Sequence, residues 1–222
     1  MSRPVPEAAP VIGIVLAVPF ALYGFLFGSN HLSTVVVSVA LLYGFTAFGI
    51  ARSPDPTTVF RPDPVLAVGV VSGGIVGLYG VASGEPLFGA LVAVVVAAPP
   101  ALYHARFGEP VNPLSPTATL GVGLVAAGTL LAFGSLSRPI VGGLSGLFVG
   151  LAAVDYHRQR GRQLTAGYRT VAVVACLGSG LVAFGLLVVV GRPTAGLAVG
   201  VVAVAIGTAF AAEAQGETRW VQ

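Results

Sequence analysis

Lysine is missing from all 222 residues of this chain. Its absence excludes a retinal Schiff base and a phosphate-binding loop that ends in Gly-Lys-Ser/Thr. Cysteine is almost missing too. Cys176 stands alone in an apolar run, so no disulfide can form within the chain. The thiol there reads as a small buried hydrophobe and not as a reactive thiolate. Charge is scarce: 9% of residues are charged and 55% hydrophobic, with a mean hydropathy of +0.93. A soluble domain carries about 25% charged residues, so this chain has too few to cover a water-facing surface. Segments of about 10 residues with alternating polarity, the mark of a transmembrane barrel, are also missing.

What the chain does have is apolar runs close to the length that crosses a hydrocarbon core of about 30 Å. Eight are expected, at 11–28, 33–51, 65–83, 87–104, 117–135, 140–156, 169–190 and 194–212. The fold class is therefore an all-α membrane protein with eight transmembrane helices, and residues 1–222 read as a single integral membrane domain. The first run is expected to be retained as a helix, because "VPFALYGFLFG" contains no convincing signal-peptide cleavage site.

Arginine gives the orientation. Arg3, Arg52, Arg61, Arg106, Arg158, Arg160, Arg162, Arg169 and Arg219 fall on one side of the eight-span arrangement, and Arg138 and Arg192 on the other. In short loops this bias predicts a multi-pass protein of the cell membrane with both termini cytoplasmic. The pI near 9.4 then describes an inner face, and no nucleic-acid partner is needed to account for it. The implied partner is the lipid bilayer; the sequence names no protein partner. The run "RQRGRQ" at 158–163 would face headgroups, although ordinary membrane insertion accounts for it equally well.

One helical hairpin is written four times, approximately at 11–51, 65–104, 117–156 and 169–212. The second helix of each copy starts at His31, Pro86, Pro139 or Pro193. Proline suits that place because its missing N–H would be unpaired there anyway. Two residues before the start stand Ser29, Gly84, Ser137 and Gly191, small residues that suit a tight reversal. Three residues after it come Thr34, Gly89, Gly142 and Gly196, and seven after it Ser38, Ala93, Gly146 and Gly200. Small residues four apart share one helix face and let helices approach closely where the bilayer supplies no hydrophobic drive. Gly89, Ala93, Gly142, Gly146, Gly196 and Gly200 are thus the expected packing residues. Seventeen after the start an aromatic recurs, Phe48, Tyr103, Tyr156 and Phe210, expected at headgroup level. Copies that all enter from one side are parallel repeats about an axis along the membrane normal.

Candidate chemistry is sparse. No Asp, Glu, Arg or His falls in the middle of an expected span, which disfavours a proton-coupled transporter. No nucleophile–base set appears at one depth, so no catalytic residue is assigned and the protein is not expected to be an enzyme. No cofactor or metal is assigned either. The candidate polar site is His104, Asp155 and His157, at the ends of the fourth and sixth helices. Two histidines and one aspartate leave a zinc site one protein ligand short. The expectation is that each imidazole completes an interfacial helix end. A second candidate is the double proline Pro99–Pro100, which frees backbone carbonyls about a turn earlier and suggests a lined cavity or a kink. Two functions stay open on these residues: a small-solute transporter or channel, or a non-catalytic accessory or structural membrane subunit.

Overall fold

The computed structural model of the protein describes residues 8–161 and 164–212. Arg3, Arg162 and Arg219 lie outside the described residues. Eight helices account for most of the rest: α1 (Ala8–Phe27), α2 (His31–Arg52), α3 (Pro62–Ala82), α4 (Pro86–Phe107), α5 (Pro116–Ser137), α6 (Pro139–Arg160), α7 (Ala166–Val189) and α8 (Pro193–Ala212). Each is long and apolar enough to cross a membrane, and there is no strand among the described residues. Proline opens α3, α4, α5, α6 and α8, the position where its ring fits a helix without sacrificing a hydrogen bond.

The chain divides into two compact units, Met1–Gly108 and Glu109–Gln222. In the first, α1 packs on α2, α3 packs on α4, and the two hairpins meet where α2 lies along α4. Leu32, Val92 and Val96 form the core there, flanked by Val35, Val39 and Phe88. In the second, α5 packs on α6, α7 packs on α8, and the hairpins meet where α6 lies along α8. Its core is Leu120, Val154, Val202, Ile206 and Phe210. Within each unit the meeting helices run in the same direction. A Cβ on Gly143 would touch Ala198 and one on Gly150 would strike Ile206, so α6 and α8 advance together.

Burial separates inner from outer helices. In α6, eight residues are buried, whereas in α7 Gly180 alone is. The outward faces carry Tyr168, Val171, Val174, Leu181 and Val189, each more than 60% exposed. Apolar exposure on that scale fits a lipid-facing surface and would be a liability in water.

Every hairpin crosses at its small-residue column. A Cβ on Gly89 would run into the Gly80 Cα, and one on Gly142 into the Gly134 Cα, so backbone meets backbone in both hairpins. In the first hairpin Gly24 faces Thr34, and in the fourth Gly196 faces Phe184 and Leu187. The seven-later positions continue the same faces: Gly146 looks onto Leu131 and Ala127, Gly200 onto Phe184, and Gly77 onto Ala93. The six packing residues read from the sequence therefore lie toward the preceding helix of their own hairpin.

The turns differ in detail. Gly84 and Gly191 adopt φ of 76° and 77°. In each case the next residue donates back across the helix end: Glu85 N–H to the Gly80 carbonyl at 2.8 Å, and Arg192 N–H to the Leu187 carbonyl at 2.7 Å. Gly84 and Gly191 themselves donate to Val81 and Val188, which completes the Schellman arrangement that a left-handed residue permits. Ser29 and Ser137 do not use that conformation. There Asn30 caps α2 by accepting from the Ser33 N–H at 3.0 Å, and Arg138 alone bridges α5 to α6. The aromatic column splits as well: Phe48 is 50% exposed under Arg52, but Phe210 is buried in the second core at 2%.

Candidate functional site

The polar groups concentrate at the helix ends that carry the longer linkers, and each unit holds one histidine there. His104 sits on the last turn of α4 at 4% exposure, and His157 on the last turn of α6 at 2%. Neither ring reaches outward as an interfacial cap would. Each folds back over a glycine four residues later, Gly108 or Gly161, whose missing Cβ leaves room for the imidazole. The same glycine donates its N–H to the histidine carbonyl, at 2.7 Å and 2.6 Å respectively. The sequence contains this device as "YHARFG" and "YHRQRG", but the contact of ring and glycine arises only in the folded helix end.

The two histidines differ in partner. His104 Nε2 lies 3.0 Å from Asp63 Oδ1, at the start of α3. The Asp63 side chain is 81% exposed, so the contact is a surface carboxylate meeting a buried ring. Tyr103 reinforces that end by donating to the Pro56 carbonyl at 3.1 Å or the Phe60 carbonyl at 2.8 Å. It thereby ties α4 to the short 3-10 turn Pro56–Thr58 of the linker. Asp55 caps this turn, accepting from the Thr57 N–H at 3.0 Å and its hydroxyl at 2.7 Å; those bonds hold its carboxyl below the usual aspartate range. Beside it runs a shallow surface groove lined by Pro10, Gly49, Ile50, Ser53, Pro56, Val59 and Phe60. Its wall holds no charged side chain, so it has little with which to hold a polar solute.

At the corresponding end of the second unit, Asp155 does not face a histidine. It accepts from Gln159 Nε2 at 2.8 Å, one turn along the same helix. Among the described residues, no three His, Cys, Asp or Glu side chains stand close enough to hold a metal ion. Asp63 is the residue that sequence reasoning missed. It lies in the linker "RSPDPTTVFRPDP", and only the packing of α3 on α4 reveals its link to His104.

The double proline sits inside a continuous helix. α4 runs from Pro86 to Phe107 through both prolines. Pro100 lacks the N–H that would serve the Val96 carbonyl, and Tyr43 from α2 donates its hydroxyl to that carbonyl at 2.6 Å. Pro99 faces outward, while Pro100 is buried, with Gly69 of α3 directly against its ring. Gly73 accommodates Ala97 next along the helix. The face of the break that points into the unit is thus filled by α3 and by a tyrosine.

Other hydroxyls within the helices turn back on their own backbone. Thr34 donates to the Asn30 carbonyl, Ser38 to Thr34, Thr129 to Val125 and Ser145 to Val141. No protein-family model, curated protein or solved structure matches the chain.

Proposed function

We propose that the chain is a non-catalytic multi-pass protein of the cell membrane, an accessory or structural subunit whose two helical units are closed to solute. The observation that carries this reading is the treatment of polar atoms inside the units. Ser145, wholly buried, and Ser38, at 9% exposure, lie at the small-residue crossings, where a solute path through a hairpin pair would need groups to offer. Both hydroxyls are spent on carbonyls of their own helices, a pairing that leaves little capacity for a passing ligand. Of the two carbonyls that the double proline deprives of a donor, that of Val96 is taken by Tyr43. A transporter of this construction would keep some such atoms available at mid-membrane, since discontinuous helices bind ions through freed carbonyls. Four hairpins with matching columns support descent from a single duplicated packing module, and the arginine bias supports cytoplasmic termini.

A labelling experiment on intact cells tests closure and orientation together. In a background with Cys176→Ala, the variants Ser137→Cys and Ser145→Cys are exposed to a small membrane-impermeant thiol reagent. Ser137→Cys, in the outward turn, should be modified. Ser145→Cys should stay unmodified until the protein is denatured. Rapid modification at 145 in the folded protein would establish a water-filled path and favour solute conduction; modification at 137 only after lysis would invert the topology.

A further inference from the structure

We draw no further inference here: the strongest candidate, the side-chain pair Asp155 and Gln159 at the end of α6, whose amide oxygen is buried without a hydrogen-bond partner among the described residues, carries nothing, because Gln159 presents its nitrogen and not that oxygen to Asp155 at 2.8 Å and the adjoining residues 162 and 163 lie outside the described residues.

Discussion

The first unit joins its hairpins by packing large side chains on one another, whereas the second also seats side chains on glycines. Between α2 and α4 stand Leu32, Val92 and Val96, with Val35 and Val39 alongside. Between α6 and α8, Gly143 meets Ala198 and Gly150 receives Ile206. The hydrogen bonds follow suit. In the first unit, tyrosine side chains tie distant backbone: Tyr43 holds Val96, and Tyr103 holds the linker. In the second, arginines do this at the ends, with Arg158 on Ala209 and Arg192 on Ser135. Inside each hairpin, by contrast, α3–α4 and α5–α6 cross in the same way, Gly80 on Gly89 and Gly134 on Gly142. In lipid, tight packing must supply the association energy. A glycine crossing is a local solution that can be reused unchanged, whereas the seam between hairpins is solved separately each time.

The crossings should be the most fragile points and equally so in both units. Gly89→Leu and Gly142→Leu each place a side chain where the neighbouring backbone stands, with no flexible atom to yield. Each should cost about 3 kcal/mol or more, at or above the upper end of ordinary overpacking, measured as detergent or denaturant stability of the purified protein. The seams should then separate the units by the sign of the volume change. Val92→Ala removes packing from a wholly buried position and should cost about 1 kcal/mol. Gly143→Leu adds bulk against Ala198 and should cost about 2 kcal/mol. If truncation and enlargement were equally harmful at both seams, the contrast between the units would be lost.

A smaller effect isolates the tie across the double proline. Tyr43→Phe leaves the Val96 carbonyl without the donor that replaces the Pro100 N–H, at a cost of about 1–2 kcal/mol. Pro100→Ala restores a backbone N–H four residues on, so Tyr43→Phe should cost much less in that background. The coupling is read from a double-mutant cycle. Additive single and double variants would mean that Tyr43 stabilises the unit through packing and not through the freed carbonyl.

Much of the fold was legible because it is written locally. Runs of apolar residues set the eight helices, and the observed ends differ from the expected ones by at most four residues, as with α6 at Pro139–Arg160 against 140–156, while α1, α3 and α7 stop one residue early. Proline at the helix starts and small residues before them marked the turns. The sequence did not reveal partners. Gly134 looks like any other helical glycine until α6 lies on α5, and nothing near Leu32 points to Val96. His104 and His157 each stand eighteen residues after a helix start, Pro86 or Pro139, yet burial of their rings depends on Gly108 and Gly161 lacking a Cβ, a contact that hydropathy cannot register. Asp63 sat between two prolines and read as linker; its role appears only when α3 brings it to His104. Phe210 shares a column with Phe48 but lies in a core, because side-chain depth depends on the seam and not on the column.

The finest test of the comparison concerns those two histidines. Aligning the hairpins on Gly80 and Gly134 places Thr117, in the first turn of α5, where α3 has Asp63. The first unit thus has a carboxylate 3.0 Å from its histidine, while the second has a hydroxyl residue at the matching position. If the two helix ends are built alike, Thr117→Asp should give His157 the partner that His104 already has. The added stability should be no more than about 1 kcal/mol, because an aspartate there would be exposed as Asp63 is, and exposed ion pairs are weak. Asp63→Asn should cost a similarly small amount in the first unit, because it removes the carboxylate that His104 meets. Thermal unfolding of both variants checks the pair together. A Thr117→Asp protein no more stable than the wild type would mean that the ends of α4 and α6 share the histidine–glycine fold-back but not the geometry around it.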